Sequence, residues 1–147
     1  MSLFQNFSIS ASGMTAQRFR TDIIAQNVAN ENTTRTEDGT PYRRQIVSFE
    51  EKQTTPFSHV LNKAVGKYSG NGVKVRRVTE DTTTDFVKKY DPSHPYADED
   101  GYVSYPNVNI VTEMTDLIDA SRSYEANVTA FNASKSMAMS GLQVGNK

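Results

Sequence analysis

The sequence predicts an α+β fold in which long N- and C-terminal helices pair as an antiparallel coiled coil around a small β-rich central region. Three observations predict it. Both ends are poor in charge and carry apolar residues at heptad spacing. The centre is rich in β-formers, threonine and turn residues. No proline follows Pro106, so the C-terminal pattern runs unbroken.

The charge distribution draws the boundaries. Residues 1–30 hold only Arg18, Arg20 and Asp22. Residues 107–147 hold Glu113, Asp116, Asp119, Arg122, Glu125, Lys135 and Lys147, and every other acid and base falls between. The division is therefore 1–33 for the first helix, 34–106 for an extended β-rich centre and 107–147 for the second helix.

In the first helix, Phe7, Met14, Thr21 and Val28 recur at heptad spacing, with Ser10 or Ala11, Gln17 and Ile24 between them. Gly13 is a weak point within it. The centre opens with a β-forming stretch, Tyr42 to Phe49. Gly70-Asn71-Gly72 signals a turn into Val73, Val75 and Val78, and Phe86 to Tyr90 is a short strand ending at Asp91-Pro92. Asp100-Gly101 marks a tight turn into Tyr102, Val103 and Tyr105. Phe57 to Lys67 fits either a short helix or an irregular crossing. The second helix carries Met114, Ser121, Val128, Lys135 and Leu142, interleaved with Leu117, Tyr124, Phe131 and Ala138. Asn107 or Asn109 is placed to cap it. A helix of roughly 35 residues is about 50 Å long, too long for an ordinary element of so small a globule.

The helix flanks are unusual. A helix of a stable monomer has a charged outer face, whereas these carry Ser2, Gln5, Ser8, Ser12, Thr15, Gln26 and Asn27 in one case, and Ala120, Ser123, Ala126, Asn127, Ala133, Ser134 and Ser136 in the other. Small neutral residues cost little to desolvate when hydrogen-bonded. Other helices are expected to cover them. The seam between the two ends is assigned to Phe7, Met14, Ile24 and Val28 against Met114, Leu117, Tyr124, Val128, Phe131 and Leu142.

Composition excludes several functions. The 147 residues include 40 Ser, Thr and Asn and carry a net charge of -1, without the basic excess of a general nucleic-acid binder. No run approaches the ~18 apolar residues of a membrane span. Without cysteine there is no disulfide, thiol nucleophile or thiolate metal site. His59 and His94 stand alone, with no second ligand at metal spacing. Asp98-Glu99-Asp100-Gly101 lacks the later ligands of a calcium loop. No phosphate loop or catalytic triad is present. No catalytic residue, cofactor or metal is expected. Met1-Ser2-Leu3-Phe4-Gln5 has neither a basic n-region nor a long apolar stretch, so no cleaved signal peptide is expected, which leaves export through an uncleaved N-terminus open.

Specific motifs lie at both ends. Ser12-Gly13-Met14-Thr15-Ala16-Gln17, followed by Ala25-Gln26-Asn27-Val28-Ala29-Asn30-Glu31-Asn32-Thr33, resembles the N-terminal signature of bacterial flagellar rod, hook and hook-associated proteins. Its core of Asn, an aliphatic residue, Ala, Asn, two free positions and Thr is matched by Asn27, Val28, Ala29, Asn30 and Thr33. Asn107-Val108-Asn109-Ile110-Val111-Thr112-Glu113-Met114, Leu117-Ile118 and Ala120 to Asn127 resemble the family's C-terminal helix motif. Tyr90-Asp91-Pro92-Ser93-His94-Pro95 is similar to the segment before it in rod proteins. The short central region favours the flagellar basal-body rod proteins within the family. The polar stretch Thr34 to Asp38 departs from the longer members.

The resemblance implies a structural axial subunit of the basal body. It also implies export through the flagellar type III apparatus and assembly with itself and other rod subunits into a helical tube, through a coiled-coil domain formed by the two ends. No nucleic-acid partner and no direct membrane insertion are implied. Asn27, Asn30 and Thr33 lie where the first helix ends, where their side chains can bond freed carbonyls and turn amides. Two other classes stay open on the residues alone: a secreted binding module on a helical stalk, and an accessory to a cell-wall hydrolase.

Overall fold

The computed structural model describes residues 3–52, 61 and 70–145. Helix α1 spans Leu3–Ala29 and helix α2 spans Ile110–Gly145, 36 residues in one stretch. Between them lie β1 (Gln45–Glu51), β2 (Val73–Glu80), β3 (Val87–Tyr90) and β4 (Tyr102–Tyr105). The ambiguous segment Phe57 to Lys67 falls almost entirely outside the described residues.

Local chemistry sets the element ends. The α1 helix stops where Asn30 bonds back to the Gln26 carbonyl through both its amide N–H and its Nδ2. Residues 33–42 then form a closed loop, with the Tyr42 amide on the Thr33 carbonyl and the Thr36 amide on the Thr40 carbonyl. Gly39 supplies the positive φ of 78° that this turn needs. Helix α2 starts at an Asn109 cap, whose Oδ1 accepts from the Val111 and Thr112 amides at 3.0 and 3.3 Å. Asn107, the other candidate cap, is used elsewhere.

The strands form two small sheets, β1 with β2 and β3 with β4. Lys52, after β1, donates to Gly72, before β2; Asp81, after β2, donates to Arg44, before β1. The pair is therefore antiparallel. In the second sheet Val87 faces Tyr105 and Tyr90 faces Tyr102, also antiparallel. Gly101 turns the chain back at φ 82°, and a Cβ there would meet the Tyr90 ring at 2.9 Å. The sequence places all four strands, with ends shifted by up to three residues.

The chain divides into two compact units. One holds Met1–Phe19, Phe49–Arg76 and Ala120–Lys147; the other holds Arg20–Ser48 and Arg77–Asp119. In the first, α1 and α2 pair through Phe7 against Phe131, ring centroids 5.0 Å apart, and Gly13 against Asn127. In the second they pair through Arg20 with Asp116 and Asn27 with Glu113. Within each unit the partner number falls as the α1 number rises, so the helices run antiparallel. Buried apolar side chains among the described residues are few: Ala16, Ile24, Val103, Val108 and Ala120. Ser10, Asn27, Asp81, Asn107, Glu113 and Ser134 are buried as well, so the core is as polar as it is oily.

Candidate assembly surface

Fully buried polar groups demand partners, and Asn27 has all that an amide can hold. Its Nδ2 donates to the Gln45 carbonyl at 2.9 Å and to Glu113 Oε2 at 3.0 Å. Its Oδ1 accepts from the Tyr42 hydroxyl and the Gln45 amide, both at 2.9 Å. Two donors and two lone pairs are thereby filled. One motif side chain ties α1, the loop before β1, β1 itself and α2 together.

The network continues through charge. Glu113 is 0% exposed, and its other oxygen accepts from Arg44 Nε. Arg44 Nη2 reaches Asp116 at 3.1 Å, and Arg20 Nη2 meets the second oxygen of Asp116 at 2.9 Å. Burial, with the Glu113 and Glu80 carboxylates adding to it, raises the Tyr42 phenol above its ordinary range and keeps it a donor. A second node lies beside it. Asn107 Oδ1 accepts from the Arg44 amide at 2.8 Å, and its Nδ2 donates to the carbonyls of Asp81 and Thr84. The Asp81 carboxylate accepts from the hydroxyls and amides of Thr83 and Thr84, which hold it well below the usual carboxylate range although burial opposes this.

These residues fix the helix–helix seam. Along α2 the most enclosed line is Glu113, Ala120 and Ser134, with half-buried Asn127 between the last two, one residue before the apolar heptad of Met114, Ser121, Val128 and Lys135. Along α1 it runs through Ser10, Gly13, Ala16, Ile24 and Asn27. Of the ten residues assigned to packing, Ile24 is buried, and Phe7, Met14, Leu117, Val128 and Phe131 are half-buried. Val28, Met114, Tyr124 and Leu142 instead face outward, Met114 at 57% and Leu142 at 72% exposure. The intrachain seam is thus shifted from the apolar heptad toward the small and polar line. The physical reason is that small residues and the Asn27–Glu113 bond bring the helix backbones together and turn the larger apolar side chains aside. In the motif, Asn30 Oδ1 accepts from Thr33 Oγ1 at 3.1 Å, and Ala29, the last residue of α1, is exposed. Arg44 was not singled out in the sequence, and Tyr42, Asn107 and Glu113 entered only as a strand start, a candidate cap and a motif residue; their convergence on one network is set by the tertiary fold.

The exposed apolar side chains mark a surface. In one unit these include Val111, Met114 and Ile118; in the other, Met137, Met139, Leu142 and Val144. Val111, Leu142 and Val144 are each exposed by 72% or more. Exposed large apolar side chains in such number are characteristic of association sites. Beside the first turn of α2 lies a groove of about 470 Å³ bounded by Glu31, Asp85, Val87, Val108, Ile110 and Val111.

Of the remaining candidates, His94 and the Asp98 turn are occupied by structural contacts, and His59 lies outside the described residues. His94 Nδ1 accepts from the Tyr96 amide, and its ring packs on Tyr96 and Tyr105. Asp98 Oδ1 accepts from the amides of Asp100 and Tyr102. Lys89 lies over the Tyr105 ring and Arg76 near Glu50. Among the described residues, no group of three or more acids or histidines is placed to hold a metal.

Comparison with known proteins identifies this arrangement. Residues 7–35 match the family model described as flagella basal body rod protein, and residues 99–144 match that of the flagellar basal body rod FlgEFG protein C-terminal. The chain is 46% identical to the flagellar basal-body rod protein FlgC of Bacillus subtilis over 99% of both chains. It is 43% identical to FlgC of Borreliella burgdorferi over 98% of both, and 41% identical to FlgC of an Escherichia coli strain over 99% of both. The motif residues that build the Asn27 network and the start of α2 lie within the two matched segments. The chain belongs to the FlgC family of flagellar basal-body rod proteins, which are structural components of the basal body and not enzymes.

Proposed function

We propose that the chain is exported through the flagellar type III apparatus without a cleaved signal peptide and assembles into a helical tube through its terminal helices. Its partners are copies of itself and other rod subunits, with the export apparatus as a transient one. In this reading 1–33 and 107–147 form the axial coiled-coil domain and 34–106 the centre. Phe7, Met14, Ile24, Leu117, Val128 and Phe131 serve the intrachain pair, while Val28, Met114, Tyr124 and Leu142 serve contacts between subunits. The observation that carries the reading is the exposure of large apolar residues on helices whose own seam is small and polar. A surface of this kind is completed by neighbours, and neighbours joined head to tail build an open helix. Among the described residues no helix is long and apolar enough to cross a membrane.

The test uses a strain that makes no native copy. Leu142→Asp or Met137→Asp is expected to leave circular dichroism of the pure chain unchanged and to abolish swimming, and removal of either helix is expected to abolish swimming as well. Normal flagella on a strain carrying both substitutions would refute the reading.

A further inference from the structure

We infer that the groove beside the first turn of α2 receives the C-terminal turns of α2 from a second copy of this chain. The inference rests on the subunit reading above and deepens it by naming the two surfaces that meet. The groove is lined by the apolar Val87, Val108, Ile110 and Val111, by two acids, Glu31 and Asp85, and by Thr84, Asn107 and Asn109. Val111 is 75% exposed and Val87 46% exposed, so the apolar lining is open to a partner. Among the described residues neither acid is engaged in an ion pair.

The complementary surface lies on the same sequence. Lys135, Met139 and Leu142 stand at i, i+4 and i+7 on α2 and share one face. Met139 and Leu142 are 54% and 72% exposed, and Lys135 is exposed without an ion pair among the described residues. Glu125 is the last acidic side chain of the sequence, and the charged side chains after it are Lys135 and Lys147. An apolar stripe led by a lysine fits a groove lined by apolar side chains and carboxylates, and like charges would exclude the reverse pairing. A helix cannot fold back on its own first turn, so the occupant comes from another copy. Because donor and acceptor surfaces differ, the contact is heterologous and propagates.

Sedimentation of the full chain across concentration tests this with a charge swap. Lys135→Glu alone, and Glu31→Lys with Asp85→Lys in a second variant, are each expected to weaken self-association by about tenfold or more. An equimolar mixture of the two variants is expected to regain association, since each tail again meets a groove of opposite sign. Matching circular dichroism confirms that both variants fold. Variants that associate as tightly as the unmodified chain, a mixture no better than its components, or an unmodified chain that stays monomeric would each overturn the contact. The subunit reading is judged separately, by swimming of the exposed-residue variants, and survives if only the charge swap fails.

Discussion

Asn27 joins three other parts of the fold to α1 through one amide. It is 1% exposed and holds four hydrogen bonds, to Gln45 twice, Tyr42 and Glu113. Asn27→Ala removes all of these and strands the Gln45 amide and one Glu113 oxygen in a dry environment. The expected loss is about 3 kcal/mol in urea unfolding. Tyr42→Phe removes a single donor and should cost about 1 kcal/mol. Equal losses for the two variants would contradict the arrangement. The sequence marks Asn27 as a helix-end residue, which is correct in position. Its inward aim is invisible there, because Tyr42, Gln45 and Glu113 meet it only through the tertiary fold.

At the scale of the helix pair, the contact between Gly13 and Asn127 sets how closely α1 and α2 approach. A Cβ at Gly13 would lie 2.6 Å from Asn127 Oδ1, and the Asn127 amide is itself held by the Ser123 carbonyl at 2.8 Å. Gly13→Ala therefore sets a helix-propensity gain of up to ~1 kcal/mol against an overlap that costs about 1–3 kcal/mol. A net loss is expected. In an Asn127→Ala background the overlap vanishes and Gly13→Ala should become stabilising. Thermal unfolding of the four proteins of this cycle decides the point, and a substitution that stabilises in both backgrounds would contradict the close approach. Element positions were legible in the sequence because period, turn residues and missing prolines report them locally. The seam was legible in part, since Phe7 meets Phe131 and Ile24 is buried, but heptad reading follows size and oiliness. Gly13, Ala120 and Ser134 contribute closeness instead, and Glu113 contributes a bond.

For the molecule as a whole, acid sensitivity follows from carboxylates tied into turns and strands. Asp81 is held low by the Thr83 and Thr84 hydroxyls, Asp91 by the Ser93 hydroxyl and Glu50 by its bond to Lys74. Each titrates lower folded than unfolded, so each contributes fully above the ordinary carboxyl range, near ~4, and loses its contribution as pH falls below it. The melting temperature should drop on acidification below about pH 4. Asp81→Asn should lower stability at pH 7 and show a shallower acid decline; an unchanged slope would place the sensitivity elsewhere. The family was legible from motifs at the two ends, of which Asn27 to Thr33 closes α1 and Asn107 to Met114 opens α2. The outward side chains were legible only as a class, since a one-residue shift of the seam decides which of them the chain covers itself.

The saturation of Asn27 also bears on mispairing. A slip of α1 by one turn against its partner moves a side chain by about 5.4 Å, beyond the reach of any hydrogen bond. The Asn27 bond to Glu113, the one of the four that crosses to α2, would then break and leave that buried carboxylate oxygen without its donor. The amide thus acts as a vernier for the two helices: an apolar interface would tolerate sliding, whereas this one rewards a single alignment and penalises its neighbours steeply.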